Sequence, residues 1–338
     1  MSIKVPSVKD VAKLAGVSVA TVSNVISEQK YVSPELTVRV NNAIKQLNYR
    51  PSKIARSLKG MKTYQIGLMI PDITNPYFAE LARGAESVAL KKGYQVLLCN
   101  TDGDSAREEK ARIAFEENRV DGIINVAPRM KTEELLAFEH IPTVIVDRPL
   151  SVEQSKFGVV FADNSEGACQ LAKHLFEKGH RRFACLTAPY DDIPSVKHRI
   201  NGFKKYLIEN GINDEDILFL NGKLRYKSGY ELMNELIKIK NRPTAVFACS
   251  DIMAWGALEA AKKAHLNIPK DIAIAGFDNI YYSEILDPTL TTVNQPKSET
   301  GEIAMQMLLD RLNKSNIKKI IRTHSVILDT ELIIREST

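Results

Sequence analysis

Between positions 8 and 47 apolar residues recur at helical rather than strand spacing. Val8, Val11, Ala12 and Ala15 make one face of a short helix, opened by Ser7 with Asp10 three residues on, as in a capping box. Gly16 ends it, being a residue that tolerates positive φ. Ser18 caps a second helix that turns Val22, Val25 and Ile26 inward. Ser33-Pro34-Glu35 starts a third, with proline in its first turn, and Leu36, Val40, Ala43, Ile44 and Leu47 as inward residues. Two short helices around a glycine-containing turn predict a helix-turn-helix unit, with Val11, Leu14, Val17, Val22 and Val25 in its core.

From Tyr64 onward the pattern changes. Short apolar runs at 65–70, 95–99, 122–126, 143–146, 159–161, 183–186, 245–249 and 272–276 read as strands. Amphipathic stretches such as 77–92, 164–178, 199–210 and 252–264 fall between them as helices. This alternation predicts parallel sheets covered on both faces, and the number of units predicts two α/β lobes. Trp255, the only tryptophan, falls on an apolar helix face and is expected in the core, and Asp251 reads as a helix cap.

Composition narrows the class. A chain of 338 residues with 44% hydrophobic and 26% charged residues holds two or three domains and is too apolar for wholesale disorder. No apolar run reaches the roughly 18 residues of a membrane span, and Met1-Ser-Ile-Lys-Val-Pro-Ser lacks the apolar stretch of a signal peptide. Cys99, Cys169, Cys185 and Cys249 include no C-x-x-C, and the histidines no H-E-x-x-H. Reduced thiols in a cytoplasmic protein are therefore expected, with no metal and no cofactor.

Charge adds a function. The whole chain is +5, yet residues 1–62 carry 11 Lys and Arg against three acids, a net +8, and the remainder is −3. A basic module on a slightly acidic one attracts polyanions through release of condensed counterions.

The run Asp10-Val-Ala-x-x-Ala-Gly-Val-Ser-x-x-Thr-Val-Ser, followed by Asn48-Tyr-Arg-Pro-Ser, resembles the DNA-binding headpiece of the lac repressor family of bacterial regulators. The resemblance implies a second helix lying in the major groove with its N-terminal residues at base edges. Val19, Ala20 and Asn24 would then read bases. Thr21 and Ser23 would meet phosphates or cap, and Ser18, Tyr49 and Arg50 would complete the DNA-contacting set. Many relatives carry Arg where Asn24 stands. Arg suits guanine and Asn suits adenine, so the operator is expected to differ at that base pair. Residues 51–60 match the family's hinge helix, too short to hold its shape alone. There Leu58 matches the leucine that wedges into a base step, Ala55 faces the minor groove, and Lys59 reaches phosphate or base edge.

Lys178-Gly-His-Arg-Arg, Ala275-Gly-Phe-Asp-Asn and Pro288-Thr-Leu-Thr-Thr-Val-x-Gln-Pro extend the resemblance over the large module, which is also similar to periplasmic sugar-binding proteins. It implies a headpiece at 1–50, a hinge at 51–61 and a core at 62–338 of two doubly wound parallel-sheet lobes. Lobe 1 would take about 62–162 and 295–323, and lobe 2 about 163–294 and 324–338. Ligand would sit between the lobes at the strand ends. Asn75 would bond a hydroxyl, Tyr77 or Phe78 cover a sugar face, and Asp147 with Arg148 grip neighbouring hydroxyls. Arg199, Asp278, Gln295, Asp163 and Ser250 match further contact positions. Leu224 stands where several relatives place a stacking aromatic.

The expected protein is a ligand-controlled homodimeric repressor of carbohydrate-utilisation genes. Its partners are a pseudo-palindromic operator and a sugar or sugar acid. No heptad segment follows Leu332-Ile-Ile, so assembly is expected to stop at the dimer. A similarity of Tyr77-Phe-Ala-Glu-Leu-Ala-Arg-Gly to the catabolite-control branch keeps a phosphocarrier protein as an alternative partner. An enzyme is disfavoured because G-x-x-x-x-G-K-[ST], G-x-G-x-x-G and G-x-S-x-G are all missing. A sugar-transport component is disfavoured by the basic headpiece.

Overall fold

The computed structural model describes residues 6–27, 30–49, 62–149, 156–189, 193–313 and 325–338. The chain divides into two units, Met1–Thr63 and Tyr64–Thr338.

The first unit holds α1 (Val8–Ala15), α2 (Val19–Ser27) and α3 (Pro34–Gln46). Ser7 and Asp10 form the expected capping box, the Ser7 amide donating to Asp10 Oδ2 at 2.8 Å. Gly16 ends α1 in the left-handed region at φ 63°. Ser18 Oγ accepts the Thr21 amide at 3.0 Å, satisfying a donor that α2 leaves open. Arg39 on α3 adds a tie that the periodicity does not reveal. Its Nη2 donates to the Ala15 carbonyl at 2.7 Å and to that of Gly16 at 3.2 Å, which closes the end of α1. Val11, Ala12, Ala15, Val22, Val40 and Ala43 form the buried core. Leu14, expected there, is 46% exposed because it falls outside the face shared by residues 8, 11, 12 and 15.

The second unit has two sheets. β1 (Gln65–Ile70), β2 (Gln95–Asn100), β3 (Gly122–Val126), β4 (Thr143–Val146) and β5 (Gly158–Ala162) belong to the first, with α4 (Pro76–Lys91) and α5 (Ser105–Glu117) between them. α6 (Asn164–Glu177), β6 (Phe183–Thr187), α7 (Pro194–Glu209), β7 (Ile217–Asn221), α8 (Tyr226–Ile237), β8 (Ala245–Ala248), α9 (Asp251–Lys263), β9 (Ala273–Asp278) and β10 (Thr291–Asn294) build the second lobe. The chain then returns through α10 (Lys297–Leu312), which packs on α4 and on β3, β4 and β5 of lobe 1. It ends in β11 (Ser325–Leu328) and β12 (Glu331–Ile333).

The strand orders are β11-β5-β4-β3-β1-β2 and β12-β10-β9-β8-β6-β7. Every pairing is parallel except β10 with β12. This corrects the expected division at residue 323. Ser325↔Val159 through Leu328↔Ala162 place β11 in lobe 1, and the chain changes lobes only at Asp329-Thr330. The sign of the last pairing follows from that path. β11 leaves lobe 1 at the cleft end of its neighbours, enters lobe 2 at the cleft end too, and must therefore run against β10.

Trp255 is half-buried rather than in the core. Its ring lies 5.4 Å from that of Tyr226 and 5.0 Å from that of Tyr282. Ser250, not Asp251, caps α9. Asp251 is buried and accepts from Ser283 Oγ at 2.7 Å and the Ile280 amide at 2.9 Å, which anchors the loop after β9.

Candidate functional site

In each sheet the first strand lies between the second and the third, so the loops leaving its neighbours diverge and open a crevice at the strand ends. The two crevices face each other across a cavity of about 510 Å³. Asn75, Tyr77, Phe78 and Asp147 line it from lobe 1, and Ser195, Arg199, Ser250 and Asp278 from lobe 2.

Asn75 caps α4, its side chain accepting the Tyr77 amide at 3.0 Å. Tyr77 and Phe78 meet edge to face with ring centres 5.0 Å apart. Burial holds the Tyr77 phenol well above its ordinary range, with Asp147 and Asp278 adding to the effect. Asp147 follows β4 at φ 61°. It is buried, and its Oδ1 has no hydrogen-bond partner. Burial pushes its carboxyl up, and Arg199 pulls it partly back.

Arg199 enters from α7, 4% exposed. Its Nε donates to Asn164 Oδ1 at 2.7 Å and its Nη1 to the Cys249 carbonyl at 2.6 Å. Nη1 also lies 3.4 Å from Asp278 Oδ1, and the guanidinium stacks 4.1 Å over the Phe277 ring. Asp278 ends β9 at φ 122°. Burial pushes its carboxyl up to about 7, against the lowering effect of Arg199. Gln295 Nε2 donates to Asp278 Oδ1 at 2.7 Å, and Lys297 Nζ donates to the carbonyls of Asp278 and Asn279 at 2.9 and 2.8 Å. Two buried acidic acceptors and a fixed, buried cationic donor beside two aromatic rings match the donors, acceptors and apolar faces of a polyhydroxy ligand. Among the described residues no group of three potential ligands could hold a metal ion.

Not every expected residue reaches the wall. Arg148 turns away, donating through Nη1 to the carbonyls of Pro128, at 3.1 Å, and Met130. Asp147 faces the cavity while the Arg148 guanidinium is tied to those carbonyls, so Asp147 and Arg148 do not act as a pair. Asp163 caps α6, accepting the Glu166 amide at 3.0 Å. Its own amide and carbonyl bond Leu328 and Thr330 where the chain crosses between lobes. Gln295 stands behind Asp278, with a buried Oε1 lacking a partner.

Sequence reading missed Asp72, Asp102, Arg107, Ser195, Lys223 and Arg225, all on the cavity wall. The available signal was position: Asp102 follows β2, and Lys223 and Arg225 follow β7, a strand that went unrecognised. Leu224 does line the cavity, supplying an aliphatic wall.

In the first unit, Ser18, Val19 and Ala20 are exposed at the start of α2, Val19 at 41%. Thr21, Ser23 and Asn24 are half-buried beside them, and Tyr49 packs against the core. Arg50, Ala55, Leu58 and Lys59, with the expected hinge, lie outside the described residues.

Residues 7–52 match the profile of bacterial regulatory proteins of the lacI family, and residues 172–338 that of a periplasmic binding protein-like domain. The chain is 37% identical over 318 residues to the ribose operon repressor of Escherichia coli K12, covering 93% of this chain and 95% of the relative. A LacI family transcriptional regulator from Enterococcus faecium, solved with bound ribose, superposes with a TM-score of 0.72 at 30% identity. That match covers 81% of this chain and 98% of the other. A lac repressor dimer bound to operator and an anti-inducer superposes over 99% of both chains with a TM-score of 0.85. At 24% identity this likeness is one of fold. Among the described residues no helix is long and apolar enough to cross a membrane.

Proposed function

The chain belongs to the lacI family of bacterial regulatory proteins and is a DNA-binding transcriptional regulator with a small-molecule effector; on that premise we propose that it is a homodimeric cytoplasmic repressor of carbohydrate-utilisation genes. Its effector is a monosaccharide or sugar acid in the interlobe cavity. The observation that carries this reading is Arg199, buried with carboxylates from both lobes around it. D-ribose is the first candidate, since the Escherichia coli relative is a ribose operon repressor and the Enterococcus faecium structure holds ribose.

DNA contact is assigned to the start of α2, where Val19 and Ala20 stand exposed. One headpiece offers only three or four base readers, so a symmetric pair reading two half-sites supports the dimer. Exposed apolar residues on lobe 1 support such a pairing. β2 is an edge strand, Leu98 on it is 43% exposed, and Leu90 on α4 is 62% exposed. The phosphocarrier partner stays the alternative: of the shared segment, Tyr77, Leu81 and Gly84 are buried and serve packing, while Ala79 and Arg83 are exposed. No reaction is assigned to the cleft.

Isothermal titration of the full chain with D-ribose and a panel of sugars and sugar acids tests the effector, and fluorescence anisotropy on operator DNA tests the control. Arg199→Ala removes charge-assisted bonds worth about 1.5–3 kcal/mol, so affinity should fall about 100-fold. A panel in which nothing binds, or an Arg199→Ala variant that binds as the wild type does, would reject the reading.

A further inference from the structure

A second cavity of about 460 Å³ adjoins the first and is lined by Thr74, Tyr226, Lys227 and Ile252, among others. Asp72, Asn75, Asp102, Leu224 and Arg225 line both cavities and therefore form the wall between them. Within that wall Arg225 reaches across the cleft. Its Nε lies 3.9 Å from Asp72 Oδ2 and its Nη2 3.9 Å from Asp102 Oδ1.

Both carboxylates are prepared for it. Asp72 Oδ1 accepts the Thr74 amide at 2.9 Å and the Thr74 hydroxyl at 2.6 Å, which fixes the group and leaves Oδ2 for the cation. Asp102 is held by Asn100 Nδ2 at 2.9 Å and paired with Arg107. On the other side Arg225 is the N-cap of α8. Its loop is fixed by the Lys223 amide donating to Ser228 Oγ at 2.8 Å. A rigid mount thus faces two rigid acceptors across a gap that a ligand must cross.

The geometry points to Arg225 as the gate of the effector cleft: bridging Asp72 and Asp102, it separates the ligand cavity from an outer vestibule and sets how fast ligand passes. This rests on the reading of the inner cavity as the effector site. Arg225 is 56% exposed, and an exposed bridge contributes little at equilibrium. Its removal should therefore speed entry and exit together and leave affinity nearly unchanged.

Stopped-flow mixing of the full chain with D-ribose reads this through Trp255. That residue packs on Tyr226, the neighbour of Arg225. In Arg225→Ala, association and dissociation should each rise about two- to fivefold while affinity changes by less than about 1.5-fold. The double variant Arg225→Asp with Asp72→Arg, which restores the bridge with charges exchanged, should recover slow exchange. Hydrogen–deuterium exchange without ligand is the arm that does not depend on a sugar. The Ile73 amide, bonded to Asn100 Oδ1 at 2.7 Å, and the Thr74 amide should exchange about two- to fivefold faster in Arg225→Ala. If D-ribose fails to bind the wild type, the sugar reading falls and the exchange result alone decides the gate. Unchanged amide exchange overturns the gate. So does faster amide exchange with unaltered ribose kinetics, since the bridge would then be only a structural tie.

Discussion

The two lobes share a strand plan, yet they bring different chemistry to the cleft. Lobe 1 offers a single buried acid, Asp147, with the aromatic pair Tyr77 and Phe78, whereas lobe 2 offers the cation Arg199 and the acid Asp278. Both spend backbone strain at the strand ends. Ala127 and Asp147 in lobe 1, and Asp278 and Asn279 in lobe 2, are non-glycine residues at positive φ. Such conformations cost of order 1–3 kcal/mol each and persist where the surroundings dictate them. A common scaffold therefore fixes where the site lies, and the residue just past each strand decides what it binds. Each lobe can be varied separately.

The lobes also differ in how their helices are held, and the largest predicted effect lies there. In lobe 1, α4 and α10 touch backbone to backbone. A Cβ on Gly301 would lie 2.0 Å from the Leu81 carbonyl, and one on Gly84 2.1 Å from that of Ser298. Lobe 2 has two such pairs: Gly202 of α7 against Ser165, and Gly229 of α8 against Met253. Carbonyl oxygens cannot rotate aside, so Gly301→Val must push the helices apart. Overpacking costs about 1–3 kcal/mol where side chains can adjust, so about 3 kcal/mol or more is expected here. Urea unfolding of the effector core should show this loss, and a midpoint equal to that of the wild type would mean α10 is not packed as described. The same substitution at Gly202 should spare lobe 1, which would separate the lobes as unfolding units.

Those contrasts also explain what the sequence disclosed. Caps and helical period are local properties, so Ser7 with Asp10, Gly16 and Ser18 marked the headpiece directly. Strands buried on both faces read as unbroken apolar runs, and β1, β3 and β4 were legible for that reason. β7 is a half-exposed edge strand and gave a weaker signal. β11 and β12 lie two residues apart but join different sheets, and that depends on the route of the chain between lobes. Asp147, Arg199 and Asp278 were expected through the resemblance to relatives, and all three line the cavity. Arg148 matched a contact position in the same way, yet the fold turns its guanidinium to the Pro128 and Met130 carbonyls, a tertiary contact that the local sequence does not reveal.

Asp278 gives the next effect, a pH dependence. Burial raises its carboxyl to about 7 in the fold, well above the ordinary aspartate value of about 4. The stability tied to this group is therefore present below pH 4 and lost as pH rises through 7. A ligand hydroxyl donating to the ionised carboxylate reverses that loss. Binding should draw the pKa down, expel a proton, and tighten with pH by up to about tenfold per unit, about 1.4 kcal/mol, until it levels off above 7. Asp278→Asn should abolish the slope. Titrations in buffers of different ionisation enthalpy would measure the proton directly, and proton uptake on binding would contradict the assigned role. Asp147 is shifted in the same direction, so a residual slope in Asp278→Asn would point to lobe 1.

The smallest effect separates the two helix caps that face the cavity, one from each lobe. Asn75 accepts the Tyr77 amide at 3.0 Å, whereas Ser250 accepts the Met253 amide at 3.4 Å, near the limit of a useful bond. Removing a good N-cap costs typically about 1 kcal/mol. Asn75→Ala should therefore lower stability by about 1 kcal/mol, and Ser250→Ala by about 0.5 kcal/mol or less, the low end of the same range. The ligand should widen the gap. Asn75 also has an amide free to donate to a hydroxyl once its oxygen serves the helix, so its loss should weaken D-ribose binding about tenfold, against less than threefold for Ser250, at about 1.4 kcal/mol per tenfold. Thermal unfolding with and without D-ribose measures both quantities on the same samples. Equal losses from the two variants would show that the caps serve only their helices, and that lobe 1 holds its ligand through Asp147 and the aromatic pair alone.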